Sequence, residues 1–425
     1  MRKLSLMTVA ILGALGTTAV MAQSTVTLYG LLDGGYNRVS GLKNGTASTL
    51  ASGIMEGSRF GIRGSEDIGG GYKAIFTLEN RLELDTGGVS NVPNSGTQLP
   101  ARIASTILAN LSPAVTGALG GAARAAATVD ALNTGLAINS FGVNVGPTGN
   151  RLFDRQAFAG VVTPVGAFTL GRQYTPGYIV TAAFDASHTQ SSLSAGQVAI
   201  LPAAFDIRLS NTLQYGVALN GFTATLMYGA GEVAGSAKAN RFLGTMVMYQ
   251  GSGFGLGYGH NEKRNELGDK SLTNNIFGAS VDVGPGTLYG QYITIKDNNP
   301  SGLSPLFAVL PAALTPSIQS AYSAAFRQDA KLYHLGYKFT FGANTIVTAY
   351  NRLDDRRAVN ADTDSYGVTY TYALSKRTNL NAVLTRFNNK GQGQAAPGGN
   401  GFLGGVTAAP GVDSTNVAFG VRHYF

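Results

Sequence analysis

Charged side chains recur at alternate positions in segments that otherwise have the pattern of β-strands. Arg59 alternates with the apolar Phe60, Arg208 with Leu209, and Glu79 lies on the polar side of a third such segment. Because successive strand residues point to opposite faces, these charges belong to the polar face of a sheet. Fixed arginines and glutamates of this kind attract or repel ions and dipoles. The first chemistry that the sequence indicates is therefore electrostatic.

Residue types that catalysis or metal binding would require are missing or scattered. The chain has no cysteine, which excludes disulfides, iron–sulfur clusters and thiol catalysis. No G-x-S-x-G elbow occurs, and the glycine runs at 69–71 and 251–259 have the pattern of turns and strands rather than phosphate loops. We expect neither an enzyme nor a cofactor or metal site. The histidines, which lack metal-ligand spacing, are His188, His260, His334 and His423.

The first 22 residues are typical of a secretory signal peptide. Arg2 and Lys3 precede an apolar run that ends at Val20, and Ala22 closes a small-residue cleavage pattern. We expect a signal peptide at 1–22 and a single domain over 23–425. Without Arg2 and Lys3 the net charge falls from +8 to +6. No basic run is interleaved with aromatic residues that could stack bases, so no nucleic acid partner is expected.

Sixteen segments of the mature chain alternate apolar residues with polar or small ones. In one of them Tyr366, Val368 and Tyr370 share a face, and Gly367 and Thr369 share the other. A period of two over several residues predicts a strand with different surroundings on its two faces. The segments begin near residues 24, 55, 72, 153, 167, 206, 221, 241, 254, 272, 286, 329, 344, 363, 377 and 414.

Short and long connections between these segments alternate along the chain. Residues 67–71 and 284–286 are short, whereas 84–152, 175–205 and 298–328 are long. An even number of strands with short turns at one end and long loops at the other is typical of outer-membrane barrels. A soluble sandwich would not place arginine and glutamate on its inward face. The sequence predicts an all-β fold, a 16-stranded antiparallel transmembrane β-barrel with a hydrated lumen.

Aromatic residues and two long apolar stretches add further expectations. The 19 tyrosines and 20 phenylalanines indicate either an aromatic girdle at the membrane interfaces or simple strand propensity. Residues 101–139 are rich in alanine and glycine, and 300–325 carry no charge. Each stretch is compatible with a short helix over the mouth, a contact with another subunit, or a flexible loop. The tyrosines near predicted strand ends are Tyr249, Tyr258, Tyr289, Tyr292, Tyr333, Tyr337 and Tyr350.

Four motifs stand out across the mature chain. They are VTLYGLLD at 26–33, SRFGIRGSEDIGGG at 58–71, RQAF at 155–158 with TLGRQY at 169–174, and GVRHYF at 420–425. Together they resemble the trimeric, 16-stranded general diffusion porins of Gram-negative outer membranes, in their beta-proteobacterial branch. The segment 97–150 is longer than the usual loop of that family, so nothing is carried over to it.

The resemblance implies passive diffusion of small hydrophilic solutes and inorganic ions through a homotrimer embedded in outer-membrane lipid. It implies localisation in the outer membrane of a Gram-negative bacterium, after export by a cleaved signal peptide. Phe425 is similar to the C-terminal signal that the barrel insertion machinery recognises. The third external loop, which matches 175–205, is expected to fold into the barrel and face a cluster of wall arginines.

The matching pore constriction would combine three arginines with two acids. Charges of one sign in a narrow throat raise the local concentration of counter-ions, so we expect weak anion selectivity. Mutual neutralisation of the arginines and acids is the alternative. Arg172 lies on the side of Phe168 and receives no pore role. The expected constriction residues are Arg59, Glu79, Arg155, Asp185 and Arg208.

Two other functions remain open at this point. An outer-membrane enzyme, such as a lipase or protease on a barrel, would place a serine or aspartate beside a histidine at the rim. An adhesin or structural barrel would use the apolar loops 101–139 and 300–325 to bind a partner, and its lumen would be plugged. Absence of conductance would favour either alternative over the channel.

Overall fold

One closed antiparallel sheet contains most of the residues that the structure describes. The computed structural model describes residues 24–89, 95, 98–139, 151–199, 206–303, 310–398 and 404–425. The predicted signal peptide at 1–22 lies outside them. In chain order the strands are β1 (Thr25–Leu42), β2 (Gly45–Ser52 and Arg59–Gly69), β3 (Tyr72–Arg81), β4 (Gln156–Thr163), β5 (Gly166–Tyr174), β6 (Arg208–Leu219), β7 (Phe222–Gly229), β8 (Phe242–Gln250), β9 (Phe254–Arg264), β10 (Lys270–Val283), β11 (Gly286–Asp297), β12 (Gln328–Phe341), β13 (Asn344–Asp355), β14 (Thr363–Ala373), β15 (Thr378–Asn389) and β16 (Ser414–Tyr424).

Pairing of the last strand with the first closes the sheet into a barrel. Each strand pairs with the next, and β16 pairs with β1 in the register Leu31 to Tyr424 through Val39 to Asn416. The predicted 16-stranded antiparallel barrel is therefore confirmed for the described residues. Closure removes the free sheet edges that would expose unpaired backbone groups.

The second strand is interrupted at residues 53–58. Its first piece pairs with residues 34–42 of β1 and its second piece with residues 25–31, so both pieces occupy the same place in the ring. The sequence predicted one uninterrupted strand that begins near residue 55. That position instead lies in the interruption, where the chain leaves the sheet.

The outer face of the barrel is apolar and its inner face is polar. In β14 the outward-facing Tyr366, Val368 and Tyr370 are exposed, whereas Thr369 between them is buried at 2% exposure. A protein surrounded by water shows the opposite preference, because burying polar groups costs free energy. The predicted alternation is confirmed in this strand. Of the two alternating sets of residues, the apolar set faces outward.

Aromatic rings form a chain across four neighbouring strands. The ring centroids of Tyr258, Phe277, Tyr292 and Tyr333 follow one another at 5.0, 6.3 and 5.4 Å. Tyr289 was expected to belong to the same outer set. It instead packs edge-on against the His188 ring at 5.6 Å, inside the barrel, because it has the opposite strand parity to Tyr292.

Helices occur in three of the long connections at one end of the barrel. None of the described helices is long and apolar enough to cross a membrane. The helices are α1 (Ala101–Asn110), α2 (Pro113–Ala118), α3 (Ala122–Asn139), α4 (Pro176–Phe184) and α5 (Thr315–Phe326), with a 3₁₀ turn at Ala195–Val198.

The two apolar stretches pack on each other as a helical cap over the long-loop end. Ile103 and Ile107 of α1, Val129 of α3 and Tyr322 of α5 lie in one buried cluster. Helix α1 follows β3 and α5 follows β11, which lie half the ring apart, so their contact bridges the mouth. The described parts of 101–139 and 300–325 thus contain helices folded over the mouth, as one of the interpretations of these stretches expected.

Candidate functional site: a charged constriction inside the barrel

The third long connection folds into the barrel, and we call residues 175–199 the inner loop. Its helix α4 packs against the inner faces of β8 to β10. A Cβ atom built on Gly257 or Gly278 would lie 2.3 Å from the Phe184 ring, so glycine at both positions allows this close approach. The glycine-rich segment 251–259 thus lies largely in β9, and its Gly257 provides space for α4.

Polar bonds hold the rest of the inner loop across the lumen. The Ala186 N–H donates to Nε2 of His334 on β12 at 3.0 Å, and Asn351 of β13 donates to the Leu193 carbonyl at 3.0 Å. Such bonds to buried groups fix a loop because leaving them unmade costs free energy. Further along, the Ser192 hydroxyl donates to Asn416 of β16 at 2.7 Å.

Glu79 of β3 is the centre of the arginine cluster on the opposite wall. The Arg155 Nε lies 2.7 Å from Glu79 Oε1, the Arg59 Nε lies 3.6 Å from Oε2, and the Tyr29 hydroxyl donates to Oε2 at 3.1 Å. In the register, Gly61 of β2 lies between Tyr29 and Glu79. Because Gly61 has no side chain, the tyrosine reaches across β2 to the carboxylate.

Arg208 joins this cluster through a tyrosine rather than through an acid. Its Nη2 donates to the Tyr174 hydroxyl at 2.6 Å, and Nη2 of Arg155 donates to the same oxygen at 3.1 Å. The Arg208 guanidinium also lies over the Tyr174 ring, 4.3 Å from its centroid. The structure thus brings together four of the five predicted constriction residues and adds Tyr29 and Tyr174.

Asp185 lies elsewhere, contrary to the expectation that it faces the wall arginines. The residue is fully buried, and its carboxylate accepts the N–H groups of Ser187 and Ala195, each at 2.8 Å, and the Ser187 hydroxyl at 2.6 Å. The inner loop therefore uses this charge to bind its own backbone donors. Its position in the sequence indicated an acid in the loop but not the direction of the side chain.

A different acid, Glu56, lies among the basic groups of the constriction. It occupies the interruption of β2, where its Oε2 accepts Nη1 of Arg422 at 3.2 Å and the Tyr424 hydroxyl at 3.0 Å. Its Oε1 lies 3.7 Å from Nη2 of Arg59. Arg422 alternates with the apolar Val421 in the last strand, which fits the polar face, but no sequence signal marks Glu56, because the interruption has no strand parity.

Arg172 does not join the Glu79 cluster. The pairing of β5 with β6 shifts register between Gly171 and Gln173, so a bulge lies at this residue. Its Nε donates to the Asp154 carbonyl at 2.5 Å and its Nη1 to the Ser210 hydroxyl at 3.2 Å. These bonds hold the guanidinium against neighbouring wall segments.

A chamber of about 460 Å³ lies between the inner loop and the wall. Its lining includes the inner-loop residues Ser187 and His188 and, on the far wall, Thr369. Among the described residues, four basic side chains line it against two acidic ones, which gives a surplus of positive charge. These six residues are Arg59, Arg63, Lys338 and Arg422, with Glu56 and Glu79.

The half-buried His188 makes the inner loop sensitive to acid. Burial, reinforced by the charge of Lys338, lowers the pKa of His188 to about 4, whereas in the unfolded chain it titrates near 6.5. Above pH 6.5 His188 is neutral in both the folded and the unfolded chain, and its contribution to the free energy of unfolding is fully present. As the pH falls from 6.5 towards 4, the unfolded chain binds the proton before the folded chain does, so this contribution is lost. We expect roughly 1–2 kcal/mol of the free energy of unfolding to disappear over this interval.

Denaturant unfolding in detergent at pH 7 and pH 4.5 measures this loss. His188→Gln keeps a hydrogen-bonding side chain without the titration and is expected to lose less stability over the same interval. His423, which bonds Thr378 at the exposed end of β16, provides the control position. An equal loss in the wild type and in His188→Gln would contradict the assignment.

Comparisons with known proteins agree with this architecture. The chain is 26% identical over 441 residues to outer membrane porin protein 32 of Delftia acidovorans, with 100% of both chains covered. The structure of the anion-selective porin from Comamonas acidovorans matches with a TM-score of 0.64 at 20% identity, over 95% of this chain and 100% of that one. The trimer form of OmpT from Vibrio cholerae matches with a TM-score of 0.56 at 13% identity, over 95% and 99%.

The two structural matches support the fold, and the family assignment comes from the sequence. The model of the Gram-negative porin family matches residues 8–392, which is most of the chain. The matched region contains β1 to β15, the inner loop, the helical cap and the arginine cluster. The chain therefore belongs to the family of Gram-negative porins.

Proposed function

We propose that this porin is a weakly anion-selective channel whose selectivity is set where the inner loop approaches the arginine cluster. As a porin, the protein forms a water-filled channel for passive diffusion of small hydrophilic solutes and ions across the outer membrane of a Gram-negative bacterium. The observation that carries the proposed selectivity is the charge of the chamber, with four basic groups against two acidic ones. The anion-selective porin of Comamonas acidovorans, whose fold is similar, supports the same direction.

The preference is weak because much of the positive charge is compensated. Arg155 is paired with Glu79 at 2.7 Å, whereas Arg208 bonds to the hydroxyl of Tyr174, which lines the chamber. In a narrow throat an uncompensated charge attracts ions of opposite sign. At physiological salt its field falls off over about 8 Å, so the attraction acts locally and modestly.

Reversal potentials in a KCl gradient test the proposal. We expect the wild type to favour chloride and Arg208→Ala to reduce the ratio of chloride to potassium permeability by about twofold, because a positive charge bonded to the chamber-lining Tyr174 is removed. Arg377→Ala is the matched control, since Arg377 lies exposed in a short turn outside the chamber. Equal ratios in the wild type and in Arg208→Ala would mean that the constriction lies elsewhere.

We also propose that the porin is a homotrimer embedded in outer-membrane lipid. The trimer form of OmpT, which has a similar fold, supports this assembly, and the apolar outer face supports contact with lipid. A symmetric ring of identical subunits is a common solution for such oligomers. The same bilayer recordings report on it, since three pores that open and close separately give conductance steps in groups of three.

The processing of the chain remains part of the proposal. Residues 1–22 would be removed as a signal peptide, and 23–425 would form one barrel domain. The barrel insertion machinery would recognise Phe425, whose backbone exchanges two hydrogen bonds of 3.1 Å with Gly30 in the closed barrel. Recognition would therefore precede closure of the barrel.

We propose a channel without catalytic activity. The bonds of His334 to Ala186 and Asn351 support a structural role for that histidine.

A further inference from the structure

We propose that Glu56 limits the anion preference of the constriction and that Asp33 holds it in place. The inference rests on the proposed function and names a residue pair that tunes it. Glu56 lies in the interruption of β2 at 53–58, and Asp33 is a fully buried residue of β1.

The Asp33 carboxylate binds three successive backbone donors of the interruption. Its Oδ1 accepts the Ile54 N–H at 3.0 Å, and its Oδ2 accepts the N–H groups of Met55 and Glu56 at 2.9 and 2.8 Å. Hydrogen bonds to an ionised acceptor are stronger than those between neutral groups. In a regular strand these N–H groups would pair with a neighbouring strand. By accepting them, Asp33 stabilises the segment where the backbone leaves the sheet.

The backbone of Asp33 fixes both ends of the interruption. Its carbonyl accepts the Gly53 N–H at 2.6 Å and the Ser58 hydroxyl at 2.9 Å, and its own N–H donates to the Ser58 oxygen at 3.0 Å. Ser58 is fully buried. One residue of β1 therefore determines where β2 breaks and where it resumes.

The interruption projects into the lumen. Ile54 is buried in a cluster with Val383 of β15 and Ala418 of β16, and the Met55 carbonyl accepts the N–H of Ser191 on the inner loop at 2.8 Å. These contacts join the interruption to the inner loop and to the neighbouring wall. Glu56, the next residue after Met55, therefore lines the chamber.

At that position Glu56 compensates basic groups that would otherwise face a passing ion. Its carboxylate lies 3.2 Å from Nη1 of Arg422 and 3.7 Å from Nη2 of Arg59, and it accepts the Tyr424 hydroxyl at 3.0 Å. Arg422 and Arg59 both line the chamber. Neutralising Glu56 leaves these two charges to attract anions and removes a charge that repels them.

Glu56→Gln tests the first part by reversal potential in a KCl gradient. The amide retains an acceptor for Arg422 and for Tyr424, so the substitution changes charge with little change of shape. We expect the ratio of chloride to potassium permeability to rise about threefold, since a negative charge within a few ångströms of the ion path repels chloride and attracts potassium. Glu262→Gln is the matched control, because Glu262 pairs with Lys270 at 2.7 Å outside the chamber. An unchanged ratio in Glu56→Gln would overturn the proposal.

Asp33→Asn and the double variant test the second part. The amide nitrogen cannot accept the Met55 and Glu56 donors, so we expect a smaller rise in the permeability ratio for Asp33→Asn alone. On a Glu56→Gln background the same substitution is expected to leave the ratio unchanged, since Asp33 acts through Glu56. Equal shifts on both backgrounds would overturn the positioning role. Should Asp33→Asn fail to fold, Ser58→Ala loosens the same interruption and is expected to show the same dependence on Glu56.

The outcomes also separate this inference from the proposed function. A shift in Arg208→Ala without one in Glu56→Gln would leave the anion-selective constriction in place and reject the role of Glu56. No shift in either variant would reject both, because neither set of charges would then lie where selectivity is decided. A rise in Glu56→Gln together with a fall in Arg208→Ala is the expected result.

Discussion

Arg155→Ala is expected to lower the anion preference of the channel more than Arg208→Ala does. The substitution removes the closest partner of Glu79, whose carboxylate then keeps its negative charge in the throat, with the Arg59 Nε at 3.6 Å. The wall loses one positive charge and exposes one negative charge. Because both changes favour cations, the effect is larger than that expected for Arg208→Ala.

The same substitution is expected to destabilise the barrel. Arg155 and Glu79 are 6% and 4% exposed, and removing one partner of a buried ion pair leaves the other charge without compensation. We expect a loss of roughly 3 kcal/mol in the free energy of unfolding. Denaturant titration of the refolded barrel measures the loss, and reversal potential in a KCl gradient measures the selectivity.

Arg386→Ala provides the control for both measurements. Arg386 lies 2.6 Å from Asp413 in a pair of similar geometry, but both side chains are more than a third exposed at the long-loop end. An exposed pair contributes about 0–1 kcal/mol, so little stability and no selectivity should be lost. If Arg155→Ala behaved like Arg386→Ala, the Glu79 cluster would not be the constriction.

Phe184→Ala is expected to release the inner loop and enlarge the channel. The Phe184 ring is fully buried between α4 and the wall, where it fills the space left by Gly257 and Gly278. Removing it creates a cavity at a site whose glycines cannot fill it, and such truncations cost about 3–5 kcal/mol. Most of this cost falls on the docking of the loop, because the strand hydrogen bonds do not depend on the ring.

Single-channel recording and limited proteolysis measure the release. We expect higher and noisier conductance, and cleavage within 175–199 at protease levels that leave the wild type intact. Phe277→Ala is the matched control, since Phe277 precedes Gly278 on β10 and points outward with 49% exposure. Unchanged conductance and an uncut loop in Phe184→Ala would contradict the role assigned to this ring.

The strand pattern alone located much of the barrel, because a sheet with an apolar outer face and a polar inner face requires alternation at every second residue. The alternation of Tyr366 to Tyr372 predicted both the strand and its two faces, and the structure confirms it. The same parity placed Arg59, Glu79 and Arg208 on the polar face without any further information. Where the parity breaks, at residues 53–58 and at Arg172, the pattern could not place the side chains.

Long-range contacts decided the remaining features. The carboxylate of Asp185 turned towards the donors of its own loop, and the apolar faces of α1 and α5 met across the mouth, although more than two hundred residues separate them. Each outcome depends on which polar donors or apolar surfaces remain without partners after the barrel closes. A single stretch of sequence does not contain that information.

The sequence by itself determined a closed barrel with an apolar exterior and a charged interior, because those properties repeat in every strand. Only the tertiary structure decided which charges meet. Glu56 reaches Arg422 because Asp33, 23 residues before it, binds the backbone donors of the interrupted strand. The hydrogen bonds and ion pairs that form the constriction join residues distant in the chain, and their geometry exists only after the ring has closed.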